Sequence, residues 1–184
     1  MSTCVPLSNG TGPLLMEVDS VATSIRWALA YLGCTRAMVS NPAISLDIDG
    51  TVLLNMSDGH TKCVRHFKNL VDACDEAGIS VFYITARPDS PSNRNHTERQ
   101  LKACGIDKHV KMFMMPSRAE YSRYKFGCRL KVAEMGYTIL LSVGDQFADV
   151  TRKDTKLADD KFYIGQIGDN GSFGIKLPSE FLEK

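Results

Sequence analysis

The sequence lacks any long hydrophobic stretch, and no apolar run approaches the roughly 20 residues that a membrane-spanning helix needs. The formal net charge of the 184 residues is only +1, so the chain has no general attraction for nucleic acid or for a membrane surface. Internal repeats and low-complexity tracts are also missing. What is present, 43% hydrophobic and 23% charged residues, is ordinary globular composition, so we expect any charged site to be local.

The six cysteines are scattered and show none of the C-x-x-C spacing that is typical of zinc sites. Several fall on predicted buried helix faces, which favours reduced thiols in the core over disulfides or zinc ligands. The first 16 residues contain neither the basic segment nor the apolar segment of a signal peptide. We therefore predict a cytoplasmic protein.

Apolar segments of strand length alternate with helical patterns along the chain. Five strands are predicted in this way, at residues 43–48, 79–84, 110–115, 138–143 and 161–164. The alternation predicts an α/β fold with a mainly parallel five-stranded sheet, flanked by helices and joined by right-handed crossovers. Without a composition shift or linker, residues 1–184 are expected to form one domain, with an N-terminal arm and helix at residues 1–40.

Two carboxylates, Asp47 and Asp49, stand at the end of the first predicted strand, before a Gly-Thr turn. The two-residue period of a strand places them on the same side. Like charges held this close are unfavourable unless a cation or a shared proton offsets them, so the pair indicates a site. The alternative is a polar turn that merely closes a buried strand.

Polar side chains also follow two other predicted strands. Thr85 and Arg87 come after the second strand, and Asp145 comes after the fourth. In α/β sheets, ligands bind in the crevice beyond the carboxyl ends of the parallel strands. These residues are therefore expected to gather around one site.

Four ordered motifs resemble those of the haloacid dehalogenase (HAD) superfamily of phosphohydrolases. They are Asp47-Ile48-Asp49-Gly50-Thr51, then Thr85, a lysine, and Gly144-Asp145-Gln146-Phe147-Ala148-Asp149. The run from Tyr124-Lys125 to Gly144-Asp145-Gln146 is similar to the class B and plant-type acid phosphatase branch, subfamily IIIB. The resemblance covers about residues 43–150. It implies a Rossmann-like HAD fold with minimal or no cap domain and a catalytic core at residues 43–165.

The resemblance implies an Mg²⁺-dependent phosphomonoester hydrolase that works through an aspartyl-phosphate. Asp47 would be the nucleophile, and Asp49 the general acid and then the general base. The metal ligands implied are the Asp47 carboxylate, the Asp49 backbone carbonyl and Asp145. Asp149 would orient a metal-bound water or a ligand.

Thr85 and Lys125 complete the implied catalytic set, and together with Ala86 and Arg87 they form the implied phosphate-binding set. Thr85 offers a hydroxyl and a backbone N–H to phosphoryl oxygens, and Lys125 offers a positive charge. Lys131 is a rival for the role of Lys125. Arg87 either clamps a substrate phosphate or ribose, or braces the loop through a carboxylate.

A nearly capless site would accept small phosphomonoesters, nucleoside monophosphates among them. Residues 1–40, with Trp27 and Tyr31, or a second copy of the chain in a homo-oligomer, are candidates to cover it. Two other functions stay open: a non-catalytic phosphate-binding or storage protein, and a nucleic-acid end-processing phosphatase. The second needs a local basic array, and five basic residues are close in sequence: Arg118, Arg123, Lys125, Arg129 and Lys131. Of these, Arg129 is expected to be structural.

Overall fold

The computed structural model describes residues 15–56, 60–117, 119–152, 157–158, 160–169 and 172–178. The helices are α1 (Val21–Thr35), α2 (Arg65–Glu76), α3 (Pro91–Ala103), α4 (Tyr121–Glu134) and the short α5 (Phe147–Val150). The strands are β1 (Leu15–Val18), β2 (Pro42–Leu46), β3 (Leu53–Asn55), β4 (Thr61–Cys63), β5 (Ser80–Pro88), β6 (Lys111–Met115), β7 (Thr138–Gly144), β8 (Phe162–Gly165) and β9 (Phe173–Lys176). No helix within the described residues has both the length and the apolar composition to cross a bilayer.

The main sheet has seven strands in the order β1-β8-β9-β7-β2-β5-β6. The five strands from β9 to β6 are parallel, whereas β8 is antiparallel to both of its neighbours, β1 and β9. The predicted α/β class and the mainly parallel sheet are therefore confirmed. All five predicted strands are present, and β1 and β9 are two that the sequence pattern did not predict.

β1 borders the predicted N-terminal arm, and β9 lies in a glycine-rich segment near the end of the sequence, so neither shows the pattern of a strand. Gly174 has a packing role in β9, since an added Cβ would lie 2.2 Å from Cγ1 of Val150 in α5. Its small size lets α5 approach the sheet closely. Residues 1–14 of the predicted arm lie outside the described residues.

Helices cover both faces of the sheet, and β5 shows this most clearly. Its alternate residues Val81 and Tyr83 belong to the larger apolar cluster, which includes α1 and α2. Phe82 and Ile84 belong to a second cluster with Cys128 of α4 and other residues of that helix. Burial on both faces is what an apolar parallel strand requires.

The segment between β2 and α2 contains a small hairpin, in which β3 and β4 pair antiparallel. Cys63, at the end of β4, forms a disulfide with Cys104, the residue that follows α3. The prediction of reduced thiols is therefore wrong for these two cysteines. It was wrong because the partners are 41 residues apart and meet only in the tertiary structure. Cys74 and Cys128 are buried free thiols, as predicted.

Candidate active site

The loop after β2 brings Asp47 and Asp49 to the carboxyl end of the sheet. The backbone N–H of Asp47 donates to the carbonyl of Val143 in β7 at 2.9 Å, so Asp47 is still held along the sheet. The chain then turns, and the carbonyl of Ile48 accepts the backbone N–H of Leu53 at 2.9 Å. Asp47 is buried, whereas Asp49 is partly exposed.

Gly50 is required at the turn for two reasons. Its φ is +73°, a left-handed backbone conformation that residues other than glycine rarely adopt. In addition, an added Cβ would lie 2.7 Å from Oδ2 of Asp145. The glycine therefore allows the loop after β2 to approach the loop after β7.

Lys125 enters the site from α4 and is completely buried. Its ammonium donates to the carboxylate of Asp47 and to the carbonyl of Ile84, the latter at 2.6 Å. It also forms an ion pair with Oδ1 of Asp149 at 2.7 Å. Lys131, its rival in the sequence, is exposed on the same helix. The fold thus places Lys125, and not Lys131, at the cluster.

Asp149 reaches the cluster from the first turn of α5. Its Oδ2 accepts the backbone N–H of Gln146 at 3.0 Å, as part of a capping box. Gly144 makes room for it, because an added Cβ there would lie 2.1 Å from the Cβ of Asp149. The Gly-Asp-Gln run seen in the sequence thus has a steric reason for its glycine.

Three carboxylates, those of Asp47, Asp145 and Asp149, have oxygen atoms within 4.8 Å of one another. Burial, together with the nearby charge of Asp149, raises the pKa of Asp47 well above its usual value, although Lys125 opposes the shift. Burial also raises the pKa of Asp145. A single ammonium leaves this cluster with excess negative charge. Carboxylate oxygens in this number and spacing fit a divalent metal ion.

Asp49 lies in a different environment, paired with Arg87. The guanidinium binds both carboxylate oxygens at 2.7 Å, and Asn55 donates to Oδ1 at 3.1 Å. Burial tends to raise the pKa of Asp49, but the hydrogen bonds and charge of Arg87 outweigh it, so the pKa is lowered. Of the two roles considered for Arg87, the structure shows the brace on a carboxylate. The phosphate clamp stays a prediction.

These groups surround an open cavity of about 340 Å³, lined by Asp47, Asp49, Thr85, Ala86, Tyr121, Asp145 and Gln146. The side chain of Thr85 is buried, and its Oγ1 accepts the backbone N–H of Arg87 at 3.2 Å. Every residue predicted for catalysis, phosphate binding or metal binding therefore lies in the cavity wall or contacts a residue of that wall. Their chemical roles stay predictions.

Tyr121 belongs to the site and was missed from the sequence. Its hydroxyl donates to Oδ1 of Asp149 at 3.0 Å, and its ring centroid lies 5.3 Å from Nζ of Lys125. The available signal was its position four residues before Lys125, which places both on one face of a helix. An isolated tyrosine at that spacing is too common to be singled out.

The residues suggested as a lid do not line this cavity. Tyr31 stacks on Phe173 with ring centroids 4.5 Å apart, and Trp27 is about one third exposed on α1. α1 contacts α2, β7 and β8, so the described part of residues 1–40 packs against the sheet. The structure does not bring these two aromatic residues to the cavity wall, and the suggestion that residues 1–40 cover the site stays a prediction.

The basic residues suggested as a nucleic-acid array are divided between surface and interior. Lys125 and Arg129 are buried, whereas Arg123 and Lys131 are exposed. Arg129 donates to the backbone carbonyls of Ala148 and Asp149 at 2.8 and 2.9 Å, the structural role expected for it. Arg118 lies outside the described residues.

The chain is thus an α/β protein with an acidic cluster and a buried lysine at the carboxyl end of a mainly parallel sheet, the arrangement that the HAD resemblance implied. Residues 55–178, more than half of the chain, match the HAD superfamily, subfamily IIIB (acid phosphatase), and the chain belongs to this family. The matched range begins after Asp47 and Asp49. The match confirms the family predicted from the sequence.

One solved structure supports the same fold. A class C acid phosphatase from Bacillus anthracis with tungstate bound is similar at a TM-score of 0.59 and 17% identity, over 71% of this chain and 63% of that chain. At this identity the likeness shows the fold alone. The Pnkp1/Rnl/Hen1 RNA repair complex matches at a TM-score of 0.46 and 19% identity, over 58% of this chain and 37% of that chain. No curated protein gives a significant match.

Proposed function

We propose that this protein is an Mg²⁺-dependent phosphomonoester hydrolase in which Asp47 is the nucleophile. The observation that carries the proposal is the position of the Asp47 carboxylate. It lies in the wall of an open cavity, bound by the buried ammonium of Lys125 and close to the carboxylates of Asp145 and Asp149. A carboxylate held in this way can attack phosphorus and divide hydrolysis into two easier steps.

In the first step, an oxygen of Asp47 bonds to phosphorus and the bond from phosphorus to the ester oxygen breaks. Asp49 gives a proton to that departing oxygen. In the second step, the oxygen of a water molecule bonds to phosphorus and the bond from phosphorus to the Asp47 oxygen breaks. Asp49 accepts a proton from that water, and inorganic phosphate leaves. The Arg87 contacts that lower the pKa of Asp49 favour the ionised form needed in the second step and oppose the protonated form needed in the first, so in this scheme the protonated form of Asp49 is the minor one before the first step.

Lys125 and Thr85 would bind the phosphate. The ammonium of Lys125 lies beside the nucleophile, where it offsets negative charge on the phosphoryl group during attack. Thr85 lies in the cavity wall at the carboxyl half of β5. Mg²⁺ held by Asp47, Asp145 and the Asp49 backbone carbonyl would offset the charge of the carboxylates and of the incoming dianion.

The open cavity supports small phosphomonoesters, nucleoside monophosphates included, as substrates. Its volume of about 340 Å³ accommodates a phosphoryl group and the start of a leaving group. Ala86 adds little bulk to the wall. Most of the leaving group would therefore extend out of the cavity, so we expect several esters to be accepted.

The predicted cytoplasmic location stays a prediction, and the Cys63–Cys104 disulfide weighs against it. Structural disulfides persist mainly in oxidising environments and are rare in the cytosol of most organisms. Protein isolated under thiol-blocking conditions would have this disulfide reduced if it comes from the cytosol, and intact if it comes from an oxidising compartment.

The test is phosphate release from a panel of phosphomonoesters that includes nucleoside monophosphates and a 3′-phosphorylated oligonucleotide. Each is measured with Mg²⁺ and with a chelator. We expect metal-dependent turnover in the wild-type protein and none in Asp47→Asn, which keeps the shape of the side chain but is not a nucleophile. Asp107→Asn, at an exposed carboxylate before β6, is the matched control and should behave as wild type.

Phosphate binding by calorimetry separates the remaining outcomes. Wild-type protein that binds inorganic phosphate but hydrolyses no ester would be a binding or storage protein, and the proposal would fail. Turnover confined to the oligonucleotide would replace the small-ester assignment with nucleic-acid end processing. Turnover that survives in Asp47→Asn would refute the role of the nucleophile.

A further inference from the structure

The hairpin and α3 meet at a junction beside the candidate active site. We call Thr61, Cys63, Gln100 and Cys104 the hairpin–helix junction. The disulfide joins Cys63 to Cys104, and the side-chain amide of Gln100 donates to Oγ1 of Thr61 at 3.0 Å. The Cys63–Cys104 bond and the hydrogen bond from Gln100 to Thr61 therefore attach β4 to α3 and to the residue that follows it.

The same turns of α3 hold Arg87. Its Nη1 donates to Oε1 of Gln100 at 2.6 Å and to Oγ1 of Thr97 at 2.9 Å. Thr97 is fully buried, and its hydroxyl donates to the carbonyl of Asn93, so its position is fixed by the helix. Gln100 is only partly buried, and its side chain contacts both Arg87 and the hairpin.

These contacts close a ring around Asp49. Arg87 binds both oxygens of Asp49 from the α3 side, and Asn55 donates to Oδ1 from the hairpin side. Asn55 and Thr61 are direct partners in the β3–β4 ladder. The ring therefore runs from Asp49 through Arg87, Gln100, Thr61 and Asn55, and back to Asp49.

The covalent bond matters because none of the three residues of β4 is buried in the core. Leu53 and Leu54 of β3 are buried, but the residues of β4 are intermediate or exposed. A two-stranded hairpin is marginally stable by itself. The position of Thr61, and of the ring that passes through it, thus depends on the attachment of Cys63 to α3.

We propose that the hairpin–helix junction positions Asp49 for proton transfer, and that the Cys63–Cys104 disulfide makes this positioning sensitive to the redox state. The inference rests on the proposed phosphatase function and deepens it. Gln100 is a positioning residue that acts through Arg87. Reduction by a dithiol breaks the S–S bond and leaves two cysteine thiols, while the dithiol loses two electrons and two protons and becomes a cyclic disulfide.

The experiment compares the oxidised full chain with the same protein reduced by dithiothreitol, using the best ester from the panel. We expect reduction to lower kcat by about tenfold, with KM changed much less, because small misplacements of a catalytic group act on the chemical step. Hydrogen–deuterium exchange should rise in β4 and stay unchanged in β7. The double variant Cys63→Ser/Cys104→Ser should have the low kcat without dithiothreitol. Cys34 is also disulfide-bonded, so Cys34→Ser, measured with and without dithiothreitol, is the control for reduction at that second site.

Variants of Gln100 test the ring without altering the disulfide. Gln100→Leu should lower kcat in the oxidised protein, and Gln100→Glu should restore most of it, because its carboxylate can still accept from Arg87. Lys102→Leu, at an exposed position of α3, is the matched control and should leave kcat unchanged.

The outcomes separate two failures. Equal kcat in oxidised and reduced protein, with faster exchange in β4 after reduction, would show a purely structural disulfide and overturn the inference. A wild-type kcat in Gln100→Leu would also overturn it. Oxidised wild-type protein with no turnover on any ester would instead refute the proposed function, and the inference with it.

Discussion

Replacing Lys125 by methionine should strongly reduce the free energy of unfolding at neutral pH, although the two side chains are similar in length. Lys125 is completely buried and contacts Asp47, Asp149 and the carbonyl of Ile84. Methionine can fill the space but supplies no charge and no donor. The variant would therefore bury carboxylates that have lost their cation.

The loss in free energy of unfolding can be estimated from that of breaking a buried ion pair. Removing one partner destabilises a protein by about 3–5 kcal/mol, because the remaining charge is uncompensated. Two carboxylates lose the same cation here, so we expect the upper part of that range. A typical domain has a free energy of unfolding of about 5–15 kcal/mol, so the loss would be a large fraction of the total.

The loss of stability should also depend on pH, and the pKa of Asp47 determines the direction of that dependence. Its pKa is already raised well above the usual value, and loss of Lys125, which lowers it, raises it further. A carboxyl whose pKa is higher in the folded than in the unfolded state binds more protons when folded, so the folded state gains stability as the pH falls between the two values. The difference between Lys125→Met and wild type should therefore shrink from pH 7 towards pH 4.

The measurement is urea unfolding followed by far-ultraviolet circular dichroism at pH 7, 6 and 5. Lys131→Met is the matched control, since it removes an exposed lysine from the same helix and should change the free energy of unfolding by less than about 0.5 kcal/mol. Equal stability of the two variants at pH 7, or a Lys125→Met deficit that grows as the pH falls, would refute the electrostatic account of the cluster.

Two further predictions concern packing and cross-linking. Gly144→Ala should displace Asp149, because the new Cβ would lie 2.1 Å from the Cβ of Asp149. We expect a lower kcat and a free energy of unfolding reduced by about 1–3 kcal/mol. Gly127→Ala, where the space is open inside a helix, should instead stabilise by about 0.5–1 kcal/mol, and urea unfolding of both variants checks the contrast. Replacing Cys63 and Cys104 by alanine should lower the free energy of unfolding by about 4 kcal/mol, the value that the chain-entropy relation gives for partners 41 residues apart. An unchanged midpoint of urea unfolding would contradict this.

Some features of the site follow from local sequence, and these were predicted correctly. The apolar strand before Asp47 and the apolar strand before Asp145 are each visible within a window of six or seven residues. Parallel strands in an α/β sheet bring their carboxyl ends to one edge, so motifs far apart in the chain could be placed together without any coordinates. The order of the motifs along the chain then indicated the family, which the match over residues 55–178 confirms.

Local sequence did not show which isolated polar side chains reach the site. Lys125 and Lys131 lie on the same helix, and only the packing of α4 against β5 and β7 buries the first and exposes the second. Tyr121 contacts Asp149 because α4 and α5 are neighbours in space. Periodicity describes one element at a time, so it does not show which side chains of two elements meet.

The sequence by itself determined the α/β class, five of the strands and the identity of the acidic motifs, because these depend on local periodicity and on a general rule for parallel sheets. Only the tertiary structure decided the disulfide, the pairing of Asp49 with Arg87, and the ring that joins the hairpin to α3. Each of these depends on a distance between residues well separated in the chain. Such distances are set by how whole elements pack, which no single segment encodes.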